Sequence, residues 1–308
     1  VKYVVEVENL TKEFNGRRVL HGLTFHVKSG EVFGLLGPNG AGKTTTIRII
    51  LGLLRPTSGK ALVFGQQLAK RRDLRRKIGV VLESDGLFRR LSAYENLEFY
   101  AKIYGLNNNI ERDKKVREAL ELVGLYEVRN MKVGYFSKGM RRRLALARAL
   151  IHNPEVLFLD EPTLGLDVES QTMVQDLITK LSRKENVTIL YTSHNMYEVE
   201  KICTKVAVLV KGKIIALDRV DTLLAKNSKC VVEICFPSAN EALNAYEYLR
   251  KLGYVVNWKT KEEKCIVVFS EPSKLIKELT RVDIRVEEVK KLRRTLEETY
   301  LELVRRCS

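Results

Sequence analysis

The 308-residue sequence predicts an α/β domain built on a mixed sheet with an inserted helical lobe, followed by a small α+β domain. Three observations carry that prediction. Short apolar runs bounded by glycine or charge alternate with helical patterning through the first two thirds of the chain; one long stretch, about residues 86–150, is almost wholly helical in pattern; and the periodicity changes near Asp218–Lys226.

The elements follow in order. "VKYVVEVENL" alternates like a strand and lacks the cationic start, apolar core and small-residue cleavage site of a signal peptide, so the expected location is the cytosol. "EVFGLLG", "KIGVVLE", "EVLFLD", "VTILYTS" and "KVAVLV" are short, apolar and nearly unbroken, as strands buried on both faces are. Between the second and third of these lie "AYENLEFYAKIYG", "ERDKKVREALELVGL" and "KGMRRRLALARALI", which supply the helical lobe. After "DRVDTLLAKN", read as a short helix and linker, a second block runs from "KCVVEICF". Helix ("NEALNAYEYLRKLG"), a strand pair around "TKEEK", helix ("PSKLIKELT"), strand and helix ("LEETYLELV") complete a β-α-β-β-α-β order. The expected division is residues 1–221 and 222–308.

Composition narrows the class. At 45% hydrophobic and 30% charged the chain is of ordinary globular type, and its longest apolar runs, "IRIILGLL" and "VAVLV", fall far short of the ~20 residues a membrane-spanning helix needs. Five scattered cysteines without a C-x-x-C pair argue against a disulfide framework and a zinc site. The formal charge of +16 implies an anionic partner: nucleic acid, a lipid surface or a phosphorylated ligand. Residues 222–308 hold 17 Lys and Arg against 13 Asp and Glu, so most of the excess lies in the first domain. The densest basic run is "KRRDLRRK", Lys70–Lys77, either a surface for anionic headgroups or a solvated helix face.

Three motifs carry chemistry. Gly37–Thr44, "GPNGAGKT", fits G-x-x-x-x-G-K-[ST] and stands after an apolar strand and before a helix. The loop through Gly37, Pro38, Asn39, Gly40, Ala41 and Gly42 can turn its amides onto phosphate oxygens. Lys43 then neutralises phosphate, Thr44 offers a hydroxyl to Mg²⁺, and Thr45 joins them among the nucleotide-binding residues. "EVLFLDEPTLGLD" ends an apolar strand with Asp160, suited to Mg²⁺, and Glu161, suited to polarising water. In "TILYTSHNMYEVE", His194 follows another such strand, where it could sense a γ-phosphate.

Taken in order, Gly37–Thr44, "FSKGM", "LDEPTLGLD" and "SH" make residues 3 to about 221 resemble the ATP-binding cassette (ABC) ATPases. The resemblance implies a P-loop fold, ATP and Mg²⁺ as ligands, and a dimer in which Ser137 and Gly139 of "FSKGM" face the ATP of the opposite subunit. Phe136, Lys138 and Met140 depart from the family's usual LSGGQ. It also implies adenine stacking on Phe14, which could equally be a core residue of an N-terminal sheet, an intersubunit loop at Gly165-Leu166-Asp167, and a switch role for His194. The family usually has Gln where this chain has Glu83; a carboxylate can still hold Mg²⁺ but adds charge beside Asp160 and Glu161. "RRTLEETYLELV" is similar to the closing motif of two-component exporter ATPases, including the daunorubicin-resistance type.

The expected function is therefore an ATPase subunit that powers a separate membrane-embedded transporter, an exporter, from the inner face of the cell membrane. It pairs with itself or with a related ATPase. The rival reading is an ABC-type ATPase acting on nucleic acid or ribosomes; the charge favours it, while the single cassette without coiled coil or zinc module disfavours it. A P-loop kinase is disfavoured by Glu161 and the Ser137–Gly139 turn.

Overall fold

The computed structural model describes residues 3–71, 73–226, 231–258, 265–292 and 295–307. The chain divides into two compact units, Val1–Val220 with Leu303–Ser308, and Asp221–Glu302.

The first unit opens with a hairpin of β1 (Tyr3–Phe14) and β2 (Arg17–Lys28). Asn15 and Gly16 turn it, both at positive φ, the geometry that matches the twist of paired strands. β3 (Val32–Leu36), α1 (Lys43–Ile50), β4 (Ser58–Val63) and β5 (Ile78–Val81) follow. The chain then leaves the sheet for α2 (Ala93–Ile103), α3 (Asn109–Leu122) and α4 (Lys138–Leu150) and returns as β6 (Val156–Asp160). Ser92 and Glu95 start α2 as a reciprocal capping box, and Asn108 caps α3. α5 (Val168–Glu185), β7 (Thr188–Ser193), α6 (Met196–Ile202), β8 (Lys205–Val210) and β9 (Lys213–Arg219) complete the unit, and α7 (Val220–Lys226) leads onward.

β2-β1-β4 form an antiparallel sheet, and β5-β6-β7-β3-β8-β9 a larger one, parallel except for β9. The mixed sheet and inserted lobe expected from the sequence are both present. One core lies between the sheets and around α1, with Leu10 and Phe25 from one side, Phe33 and Phe158 from the other, and Ile47 and Ile50 from the helix. Phe25 stacks on Phe33 at 5.0 Å between ring centroids, each fully buried and contributing about 2 kcal/mol of transfer free energy.

β3, β6 and β7 are buried at every residue, which is why their sequences run apolar without alternation. Register sets their ends level: Asp160 pairs with Thr192, and Leu36 with Ser193. The carboxyl ends of three adjacent strands thus meet where open parallel sheets bind ligands.

The second unit contains β10 (Val231–Cys235), α8 (Ala239–Lys251), β11 (Val256–Trp258), β12 (Cys265–Phe269), α9 (Pro272–Arg281), β13 (Glu288–Leu292) and the start of α10 (Leu296–Cys307). Its strands run in the order β11-β12-β10-β13, all antiparallel neighbours, over a core that includes Val232, Ile234, Leu249, Ile266 and Leu275. Thr260–Lys264 and Arg293–Arg294, parts of two sequence readings, lie outside the described residues.

One expectation is corrected here. Cys235 and Cys265 form a disulfide, with Cα atoms 4.2 Å apart. They stand 30 residues apart in sequence and become neighbours because β10 and β12 pair them directly. Cys203 is free and buried.

Candidate functional site

The loop from β3 to α1 is built on close backbone approach. A Cβ on Gly37 would collide with the carbonyl oxygen of Leu209, and Gly42, at φ 108°, would drive one to 2.5 Å from the Leu20 side chain. Pro38, Asn39 and Gly40 are exposed, Ala41 and Gly42 buried, and Thr44 and Thr45 half-buried at the start of α1. Among the described residues no acceptor is hydrogen-bonded to the amides of Asn39, Gly40, Gly42 or Lys43, the arrangement an anion needs. Lys43 is itself buried, its ammonium donating to the carbonyls of Gly37 (2.6 Å) and Pro38 (3.1 Å).

Across the cleft stand the two acids. Asp160 is 1% exposed; its Oδ1 accepts a 2.7 Å hydrogen bond from the Thr192 hydroxyl, while Oδ2 has no partner among the described residues. Glu161 adopts a left-handed backbone (φ 48°), held by its amide donating to the same Thr192 oxygen at 3.0 Å. One of its carboxylate oxygens lies 3.0 Å from the Lys43 ammonium and the other 2.9 Å from His194 Nδ1. His194 is half-buried. A cleft of about 410 Å³ is lined by Phe14, Asn39, Gly40, Gly42, Lys43, Thr44, Thr45, Glu83, Asp160 and Glu161 among others. Phe14 is 42% exposed at its rim, with the Lys12 ammonium 4.7 Å from the ring centre, so it is not a core residue.

Ser137 and Gly139 do not line that cleft. They open α4: the Ser137 hydroxyl accepts from the Met140 amide at 3.1 Å, and Gly139 packs so tightly on Ser170 that a Cβ would collide with its hydroxyl. Asp167 caps α5, accepting from the Ser170 amide (2.9 Å) and hydroxyl (3.0 Å), and these bonds hold its carboxyl below the usual carboxylate range. The Lys138 ammonium lies against Gly165.

The arginines of "GMRRRL" all donate to main-chain carbonyls. Arg142 is buried and donates to the carbonyls of Leu82, Asp160, Glu161 and Pro162. Arg143 donates to the Val123 carbonyl, and Arg141 to that of Phe136. In the basic run, Arg71 pairs with Asp73 and Lys77 with Glu155. Thr192 and Arg142 are the two site residues that sequence motifs did not single out. Thr192's only sequence signal is its position two residues before His194 on an apolar strand.

The sequence and the fold of the first unit match known proteins. A family model described as "ABC transporter" matches residues 20–164. The "Uncharacterized ABC transporter ATP-binding protein YhcH" of Bacillus subtilis (strain 168) is 39% identical over 307 residues, covering 98% of this chain and 96% of that protein. This chain belongs to the ABC transporter ATP-binding proteins. The "Nod factor export ATP-binding protein I" of Burkholderia thailandensis is 40% identical over 235 residues, 76% of this chain and 77% of that protein. Among solved structures, a dimeric post-hydrolysis state of the ATP-binding cassette MJ0796 with ADP and Pi superposes with a TM-score of 0.65 at 28% identity, covering 70% and 98% of the two chains. ATP hydrolysis coupled to transport is accordingly this ABC protein's activity. No helix among the described residues is long and apolar enough to cross a membrane.

Proposed function

We propose that the chain hydrolyses ATP as a dimer and drives export through a separate membrane-embedded subunit, from the cytoplasmic face. The observation that carries the chemistry is the meeting of Lys43, Asp160, Glu161, Thr192 and His194 at the level ends of β3, β6 and β7. Export is supported by the relative whose name includes it, and a dimer by the paired state of the MJ0796 cassette.

Adenine stacks on Phe14 and the phosphates lie on the amides of Pro38-flanked Asn39 to Thr45. Lys43 then has a stronger partner than Glu161, since a phosphate chain carries more charge than one carboxylate. Turning to it, Lys43 releases the acid. Glu161 takes a proton from a water whose oxygen bonds to the γ-phosphorus as the bond from that phosphorus to the β,γ-bridging oxygen breaks, giving ADP and phosphate. His194, on the other oxygen of Glu161, holds its orientation and reaches the γ-phosphate.

Mg²⁺ fits the oxygen donors present. Asp160 Oδ2 is buried without a partner among the described residues, and Thr44 and Glu83 share its cleft. When bound, the ion neutralises phosphate charge. Ser137 and Gly139, at the N-terminus of α4, face the γ-phosphate held by the opposite subunit, with Asp167 bracing that turn through Ser170. The basic run Lys70–Lys77 contributes attraction to anionic lipid. Arg141, Arg142 and Arg143 are committed to backbone carbonyls, which removes them as a nucleic-acid surface.

Glu161→Gln tests the reading. With saturating Mg-ATP the variant should elute as a stable dimer and hydrolyse at least a hundredfold more slowly; a monomeric elution with bound ATP would refute the composite site.

A further inference from the structure

We infer that Arg142 is a positioning residue that ties the two ATP sites of the dimer together, one guanidinium holding both the acid tip of its own site and the helix lent to the partner's. The inference rests on the dimeric reading above.

A guanidinium offers five N–H donors in a rigid plane. Arg142 uses four hydrogen bonds to reach two separate segments. Nε donates to Pro162 (2.8 Å), Nη2 to Asp160 and Glu161 (2.7 Å each), and Nη1 to Leu82, the residue before Glu83. Every acceptor is a main-chain carbonyl, so the contacts fix where the backbone runs and do not depend on which acids it carries. At 8% exposure the group has little solvent to fall back on. Burial lowers its pKa while Asp160, Asp85 and Glu161 oppose that, which keeps the cation in place.

The same residue sits five positions after Ser137 on α4, about 7.5 Å along the axis. Arg141 strengthens the joint: it donates to the Phe136 carbonyl, beside Ser137, and lies 3.7 Å from Asp85 in the Glu83 loop. A shift of the acid tip must therefore either break buried hydrogen bonds or carry the start of α4 with it. In a dimer the acid tip answers to the ATP on this chain, and the start of α4 answers to the ATP on the other.

Mixed dimers separate the two roles. In the reference dimer one subunit carries Glu161→Gln, so hydrolysis occurs only at the site made from the wild-type subunit's loop and acid and the variant subunit's Ser137 turn. Adding Arg142→Lys, or in parallel Arg142→Gln, to the Glu161→Gln subunit should lower that turnover at least tenfold. ATP affinity of the Arg142 variants as monomers should stay within about twofold of wild type. Unchanged turnover would overturn the inference, confining Arg142 to its own acid tip. Loss of monomer ATP affinity in both variants would also overturn it, reducing Arg142 to a folding residue. A reference dimer that neither assembles nor hydrolyses ATP would overturn the dimeric reading itself, and this inference with it.

Discussion

Thr192→Val isolates what holds the two acids. The Thr192 hydroxyl is fully buried, donates to Asp160 at 2.7 Å and accepts from the Glu161 amide at 3.0 Å. Valine keeps the shape and removes both bonds. The bond to a carboxylate is worth about 1.5–3 kcal/mol, and the stranded, partly buried amide costs about 1–2 kcal/mol. The extra buried methyl returns about 1 kcal/mol, for a net loss of about 3 kcal/mol. For a cassette of this size that is a fall of about 9 °C in its unfolding midpoint. The assay is thermal unfolding in EDTA, so that no divalent ion compensates Asp160, together with steady-state ATPase in Mg²⁺. Turnover should fall about tenfold, because Glu161 would no longer be pinned in its left-handed conformation. A midpoint within 2 °C of wild type with full turnover would show that Asp160 and Glu161 are held by other means.

Two further outcomes are open to measurement. Glu83→Gln removes one negative charge from the cleft that holds Asp160 and Glu161, so ATP turnover should rise or its Mg²⁺ requirement shift about threefold or more; no change in either would remove Glu83 from the site. His152, stacked at 3.7 Å on Tyr104, is pushed below its ordinary 6.5 by burial, with Arg148 adding to the effect and the bond to the Ile78 carbonyl opposing it. The unfolded chain then binds a proton more readily than the folded one. Its stabilising contribution is present above pH 6.5 and lost as pH falls below that value. In His152→Gln the decline in stability between pH 6.5 and 5 should be shallower than in wild type, and an unaltered slope would refute the assignment.

Contiguity decided what could be read from the sequence. The phosphate loop, the Asp160-Glu161 pair and His194 each sit within a few residues of a buried parallel strand whose unbroken apolar run marks it. The helices of the lobe announce themselves by their patterning. β4 and β9 carry exposed or half-buried residues at most positions and left no comparable mark. Thr192 gains its meaning only from the register that pairs it with Asp160. The part played by Arg142 was not legible because sequence does not show which side of α4 faces the acid strand. Cys235 and Cys265 were misread for a similar reason: antiparallel pairing across 30 residues is invisible to spacing rules.

The lobe leaves the large sheet after β5 and rejoins it at β6, and these strands are immediate neighbours. Among the described residues β5 is an edge strand of four residues, bonded to a strand on one side only. Seen mechanically, the lobe is a lever with both feet on one rim of a stiff plate. A torque on it loads the short β5–β6 ladder and, through Arg142, the carbonyls at the end of the strand that carries Asp160. The stroke can be large at the lobe's tip and small at the phosphate, which is the gearing that a device converting a bond cleavage into a protein-sized displacement requires.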